Sequence, residues 1–294
     1  MTSRWQLEEE VTERLEAAGV PTPDVDARLL LDVMEERFGT LDGCPSGVLD
    51  AMVERREARE PLQVILGRTT FRWVDLEVER GVFVPRPETE VVACLAIDAC
   101  AGIDQPLVVE PCTGTGAITC ALLTEVPGVK VLATDVSEAA VTVAQRNVTR
   151  TLAGEASPPD WQPRGGADAE VLRGHLLDPL RQLGTGVLGN VDVLVSNPPY
   201  LPAADVDAME PEVAGHDPHG ALFGGDDGHE VVEELLHEAA VWLRPGGTVI
   251  LEIDDRRGAD AAASAEAAGL VDVRVEQDLT GRDRAVVASR PDHP

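Results

Sequence analysis

Apolar residues recur along this chain with two different spacings, and the change from one to the other divides it. Over the first sixty positions the spacing is helical: "RWQLEEEVTERLEAAGV" closes at Gly19, "PDVDARLLLDVMEERFG" closes at Gly39, and "SGVLDAMVERREARE" stops before Pro61. Three amphipathic helices over residues 3–60 are predicted, each ended by a glycine or proline. In "PLQVILGRTTFRWVDLEVERGVFVPRPETE" the pattern turns to alternation, which predicts a β-hairpin near residues 68–84, with a helix in "ETEVVACLAIDAC" after it. Beyond that, the short β-rich runs "LVVEP", "KVLATD", "AEVLRG", "VDVLVSN" and "GGTVILEID" alternate with helical stretches such as "SEAAVTVAQRNVTRTL" and "VVEELLHEAAVWL". That alternation predicts an α/β domain whose parallel sheet is covered on both faces. The final run, "VDVRVEQDLTGRDRAVVAS", holds two strands about a turn and is expected to form an antiparallel edge pair. Residues 154–168, "GEASPPDWQPRGGAD", read as a surface insertion or disordered loop. The expected domains are a helical one at 1–66, a hairpin linker at 67–90 and the α/β body at 91–294.

Composition adds exclusions. No apolar run approaches the roughly 20 residues of a membrane span, and the opening "MTSRWQLEEE" is too acidic for a signal peptide, so a cytoplasmic protein is expected. Asp and Glu number 53 against 24 Lys and Arg, a formal charge of -29 that repels nucleic-acid phosphates. The five cysteines, Cys44, Cys94, Cys100, Cys112 and Cys120, are odd in number and lack C-x-x-C pairing. They are expected to be reduced, with neither a disulfide framework nor a metal site.

The candidate chemistry begins at "VVEPCTGTGAITCALL", where Thr113, Gly114, Thr115 and Gly116 lie between the first strand and first helix of the body. Glycines there let backbone approach a ligand beside free N–H groups at a helix start, although the spacing is neither G-x-G-x-x-G nor a Walker motif. About 20 residues on, "VLATDVS" ends a second strand with Asp135, where an acidic side chain can accept from a ribose diol. Capping the next helix is the structural alternative, but Ser137 can serve that purpose. Together these predict a site for an adenosine-bearing ligand without a pyrophosphate signature.

"SNPPYLP", residues 196–202, follows the fourth strand of the body. Its prolines end the strand, and the residue before a proline is held extended, which fixes Asn197 on the sheet rim. The Asn197 side chain and the Pro198 carbonyl supply two acceptors suited to one incoming NH2 group. Tyr200, the only tyrosine, can stack on the planar group carrying that NH2.

At these residues the chain resembles the class I S-adenosylmethionine-dependent methyltransferases, and within them the PrmC/HemK family that methylates the glutamine amide of class I peptide chain release factors. The matching stretches run from "EPLQVILG" and "VFVPRPETE" through "CTGTGAI", "ATDVS" and "SNPPYLP" to "ALFGGDDG", "LRPGGTVILEI" and "DLTGRDRAV". The resemblance implies a Rossmann-like seven-stranded sheet behind a small helical substrate-recognition domain. It implies that Cys112, Thr113, Gly114, Thr115 and Gly116 wrap the methionine part of S-adenosylmethionine, that Asp135 holds the ribose, and that Leu176 walls the adenine. Asn197, which also borders the cofactor, and Pro198, Pro199 and Tyr200 are implied to take the substrate glutamine, without a metal. The implied partner is a release factor, and the enzyme is expected to be a monomer with no stable nucleic-acid binding. Departures from the family pattern are His175 at an acidic position, Glu110-Pro111 for Asp-Leu, Val64 for tyrosine, and "LEIDDRRG". They leave open another protein's glutamine as substrate; an amino methyltransferase of a nucleic-acid base and an inactive module of the same fold are the other readings.

Overall fold

A computed structural model of the chain describes residues 3–43, 45–157, 165–183 and 186–292. Ser3 and Gln6 form a reciprocal capping box that starts helix α1 (Arg4–Ala17). Pro23 opens α2 (Pro23–Phe38), where its missing N–H costs nothing, and Gly39 at φ 79° closes it. α3 (Val48–Glu57) completes the three expected helices. A further turn, α4 (Leu62–Leu66), was not legible in the apolar spacing because it is only five residues long.

The hairpin consists of β1 (Arg68–Phe71) and β2 (Val74–Glu77), shorter than expected. Its pairing does not extend through residues 78–84, and the prolines that follow at 85 and 87 carry no N–H for a ladder. Then come α5 (Thr89–Ala99), β3 (Leu107–Pro111), α6 (Ala117–Glu125), β4 (Lys130–Asp135), α7 (Glu138–Leu152), β5 (Asp168–Arg173) and β6 (Val191–Ser196). Two short helices, α8 (Pro211–His216) and α9 (His219–Leu222), precede α10 (Glu230–Trp242), β7 (Leu243–Glu252), α11 (Gly258–Ala267), β8 (Val271–Gln277) and β9 (Asp283–Ser289).

Seven strands form one sheet in the order β5-β4-β3-β6-β7-β9-β8. The first five run parallel, and β9 is antiparallel to both β7 and β8. The expected antiparallel pair of β8 and β9 therefore forms, but β9 is interior and only β8 lies at the edge. Burial explains this, since "AVVA" in β9 is wholly buried whereas β8 is mostly exposed or half-buried. The order of strands reverses between β3 and β6, the place where open α/β sheets bind their ligands.

By its internal contacts the chain divides into two units, residues 1–68 with 208–217, and residues 69–207 with 218–294. In the first, Leu15, Leu30, Met34 and Val53 are fully buried at the centre of the helices. Arg56 is buried there between two carboxylates, Asp26 at 2.6 Å and Glu212 at 3.0 Å. Arg59 takes Glu212 in a two-pronged grip, both bonds 2.7 Å. The α8 segment thus belongs to the helical unit by an ionic lock, although more than 150 residues separate Glu212 from its partners.

In the second unit the sheet is covered on both faces, by α5, α6 and α7 around Leu122 and Leu123, and by α10 and α11 around Leu235 and Trp242. Asn147 of α7 ties the hairpin to the glycine turn: it accepts from Glu77 N (2.8 Å) and donates to Glu77 O (3.0 Å) and Thr115 O (2.9 Å). The proline-rich stretch begins as packed chain, with Ala156 buried and its carbonyl accepting from Asp75 N at 2.7 Å. Residues 158–164 of that stretch lie outside the described residues.

Removing one partner of a buried ion pair costs about 3–5 kcal/mol, because the other charge is left desolvated. Arg56→Ala, which leaves the buried Asp26 carboxylate without its counter-charge, is accordingly expected to weaken hydrogen-exchange protection across α2 and α3 by an amount equivalent to about 3 kcal/mol. Unchanged protection there would show that the lock contributes nothing.

Candidate active site

Because β3, β4 and β6 are parallel neighbours, the loops that follow them open on one rim of the sheet. A cavity of about 300 Å³ occupies that rim. Its walls include Cys112, Thr113, Gly114 and Thr115 after β3, Asp135 at the end of β4 with Val136 after it, His175 and Leu176 after β5, and Asn197 and Pro199 after β6.

The turn after β3 is shaped by positive φ at Cys112 (58°), Gly114 (57°) and Gly116 (80°). A Cβ on Gly114 would meet nothing within 4 Å, so its bare backbone faces open space beside the cavity. A Cβ on Gly116 would come within 3.3 Å of Ala144, a tight contact where α6 packs on α7, and at φ 80° a side chain there is strained as well; Gly116 is not among the residues lining the cavity. Two further bonds hold the turn: Thr113 N donates to Thr134 O at 3.0 Å, and Ser196 Oγ donates to Pro111 O at 2.6 Å.

Asp135 closes this turn from the neighbouring strand. One carboxylate oxygen accepts from Gly114 N and the other from Ser137 N, both at 2.9 Å. Burial raises its pKa, and these backbone donors act against that rise. Each oxygen keeps a second lone pair for an outside donor. Ser137 does cap α7, accepting from Ala140 N at 3.3 Å.

Leu176 sits at φ 40°, an unusual conformation for leucine, and Thr134 Oγ1 holds it there by donating to its carbonyl at 2.5 Å. Val136 and Ala140 share that part of the wall, which is largely apolar.

The corner after β6 is supported from behind by a glycine loop. A Cβ on Gly224 would fall 2.3 Å from Pro199 O, so only glycine lets the two backbones meet. Leu201 and Phe223 form an isolated parallel bridge at the same place. Asn197 Nδ2 donates to Thr89 Oγ1 at 3.0 Å, which leaves its carbonyl oxygen to point elsewhere. Pro198 is buried, and Tyr200 is half-buried with its hydroxyl donating to Glu252 Oε1 at 3.0 Å. Neither Pro198 nor Tyr200 lines the cavity.

Several wall residues were not among the expected site residues, although Val82, Phe83, Pro85 and Thr89 lie in "VFVPRPETE". Gly81, Val82, Phe83 and Pro85 come from the segment after the hairpin, and Thr89 from the first position of α5. Glu110 forms part of the cavity wall, fully buried, with Thr119 donating to it; burial pushes its carboxyl up to about 8. An acidic residue within an otherwise apolar strand, as in "LVVEP" and again in "TVILEI", is the signal that could have found Glu110 and Glu252. Among the described residues no group of three or more His, Cys, Asp or Glu side chains could hold a metal ion. No described helix is long and apolar enough to cross a membrane.

A carboxyl whose folded pKa lies above its unfolded value contributes stability that is complete below the unfolded pKa and is lost as pH rises through the folded one. For Glu110 that window runs from about 4.5 to about 8. The wild-type melting temperature should therefore fall between pH 5 and pH 8, and Glu110→Gln, which keeps the neutral shape, should lose distinctly less over the same range. Identical pH dependence in the two proteins would mean that Glu110 ionises freely.

The chain is similar to a release factor glutamine methyltransferase of Streptomyces coelicolor, with 39% identity over 289 residues covering 96% of each chain. It is similar to a release factor glutamine methyltransferase of Deinococcus radiodurans at 38% over 290 residues, again covering 96% of each. Among solved structures, the hMettl16 catalytic domain in complex with a MAT2A 3'UTR hairpin aligns with a TM-score of 0.56 at 15% identity, covering 83% of this chain and 82% of that one. At that identity the likeness concerns the fold alone. No family model matches the chain.

Proposed function

The chain belongs to the release factor glutamine methyltransferases, and on that footing we propose that it methylates the side-chain amide nitrogen of a glutamine in a class I peptide chain release factor, the glutamine of the Gly-Gly-Gln motif. The observation that carries this reading is the meeting of a glycine turn, Asp135 and Asn197 in one cavity at the switch point of the sheet.

The cavity residues fit S-adenosylmethionine. Asp135 has lone pairs to spare for a ribose diol, Leu176 and Val136 form an apolar wall for a purine, and the bare backbone at Gly114 leaves room for the methionine part. Thr113 and Glu110 line the same cavity, and the Thr113 hydroxyl lies against the Glu110 carboxyl. When bound, the cofactor supplies an electrophilic methyl group on a sulfonium sulfur.

The protein's own contribution is alignment. An amide nitrogen is a weak nucleophile because its lone pair is delocalised into the carbonyl. Asn197 accepts one substrate N–H through its carbonyl oxygen, and the backbone oxygen of Pro198 accepts the other. Both bonds strengthen as positive charge develops on the nitrogen, so they stabilise the transition state more than the ground state. Orientation of this kind is worth up to about 7–11 kcal/mol in favourable cases. Tyr200, whose hydroxyl is held by Glu252, offers its ring as the surface against which the substrate amide lies flat. No side-chain base is needed, since the proton on an alkylated amide nitrogen is lost readily to water. The charge of -29 disfavours a nucleic-acid substrate, and among the described residues the wall carries no lysine or arginine to offset it.

Asn197→Ala should lower turnover of a recombinant release factor by at least a hundredfold while S-adenosylmethionine affinity, read by calorimetry, stays within about threefold. Turnover comparable to wild type would remove Asn197 from the reaction. Asp135→Ala should give the converse, an affinity for the cofactor reduced by about tenfold or more, the loss of two hydrogen bonds to a charged acceptor.

A further inference from the structure

β4 shapes a second part of the cavity wall besides Asp135, and it does so through a residue that does not itself line the cavity. Thr134 is fully buried at the last position but one of β4, and by the alternation of a strand its side chain faces away from that of Asp135. Both residues bind the loop that follows β5. Asp135 O accepts from Gly174 N at 2.9 Å, and Thr134 Oγ1 donates to Leu176 O at 2.5 Å. The loop folds back on itself between these anchors and the turn beyond, since a Cβ on Gly174 would fall 2.3 Å from Pro179 Cγ.

Leu176 is thereby held at φ 40°, where the Cβ of a leucine crowds its own backbone. A residue other than glycine stays in that region only when its surroundings over-determine it. Here the determinant is one hydrogen bond, because among the described residues no other group donates to the Leu176 carbonyl. If Leu176 relaxed to negative φ, that carbonyl would swing off Thr134 and leave a buried hydroxyl and a buried carbonyl both unpaired. Leu176 is only 7% exposed and shares the apolar wall with Val136 and Ala140, so where its side chain stands decides the shape of that wall.

We propose that Thr134 is a positioning residue for the cofactor: by holding the Leu176 carbonyl, it keeps the wall for the purine formed before the ligand arrives. This role rests on the reading of the cavity as the S-adenosylmethionine site. A wall already in place removes the cost of ordering a loop on binding. Two neighbouring residues of one strand then serve the two halves of the adenosine, Asp135 by touching the ribose and Thr134 by fixing the surface against which the base lies. Because only the adenosine portion is concerned, Thr134 acts alike on S-adenosylmethionine, on the product S-adenosylhomocysteine and on adenosine itself. The methyl transfer at Asn197 does not depend on it.

Full-length Thr134→Val, Thr134→Cys, Thr134→Ser, Leu176→Gly and the Thr134→Val/Leu176→Gly double variant are to be compared with wild type. Calorimetry reads the affinities for S-adenosylmethionine, S-adenosylhomocysteine and adenosine, and methylation of a recombinant release factor reads kcat and KM. Thr134→Val should weaken all three ligands by about tenfold, the effect of one lost buried hydrogen bond, and raise the KM for the cofactor by the same factor. Its kcat and its KM for the release factor should stay within about twofold of wild type, a split that a general loss of structure would not give. Thr134→Ser keeps the donor and should bind as wild type does. Thr134→Cys, whose thiol donates weakly, should fall between the two, and it carries the comparison if the valine variant does not fold. With glycine at position 176 there is neither strain to hold nor a side chain to place, so adding Thr134→Val should cost less than about threefold. Wild-type affinities in Thr134→Val and Thr134→Cys would overturn the clamp and leave the proposed function standing. Equal losses from Thr134→Val with leucine or glycine at position 176, or a fall in kcat at unchanged cofactor affinity, would overturn it as well. Wild-type protein that bound neither S-adenosylmethionine nor S-adenosylhomocysteine would instead overturn the reading of the cavity, and the clamp with it.

Discussion

Parallel pairing of β3 with β4 on one side and β6 on the other is the constraint from which the rest of the site follows. Pro111 lies opposite Thr134 and Val109 opposite Leu194, so the three strands end at nearly the same height. Their following loops have nowhere to go but one rim. A slip of a single residue between β3 and β4 would carry Gly114 away from Asp135 and exchange the side chains that meet the two helical layers. The bond between Gly114 N and the Asp135 carboxylate is in this sense a check on register as well as part of a binding wall.

The rim is polar where the sheet beneath it is not. Glu110, Asp135 and Glu252 all lie within or just behind it, and burial raises the pKa of each. Such groups cost stability unless hydroxyls or backbone N–H groups meet them, and here Thr119, Gly114, Ser137 and Tyr200 do so. The surface is governed by a different balance. Many arginines there sit in ion pairs with the abundant carboxylates, as Arg14 does with Glu57 and Arg146 with Glu77. The excess negative charge is a property of the exterior, whereas the carboxylates near the cavity are placed individually.

Much of the fold was legible because its elements are long and periodic. The α1–α3 helices, the alternating body and the rim positions of Asp135 and Asn197 follow from apolar spacing and from prolines and glycines that stop a segment. Legibility failed where an element is short or its partner distant. The α4, α8 and α9 helices are four to six residues long and give no period to read. β9 lies inside the sheet because two antiparallel neighbours cover it, and strand order is not encoded in the spacing of one segment. The neighbour of Gly116 was not legible in the "TGTG" run, because Ala144, 28 positions on in α7, is brought beside it only by folding.

The amino-acid sequence by itself determined the local chemistry: a glycine turn after one strand, an acid after the next, and an asparagine stiffened by the proline that follows it. These depend on residues adjacent in the chain, whose allowed dihedral angles are set by sterics alone. Only the tertiary structure decided how that asparagine is oriented. Its amide meets Thr89 across 108 positions, and Tyr200 meets Glu252 across 52. Such bonds decide an orientation only when folding has removed the water that would otherwise satisfy each group separately.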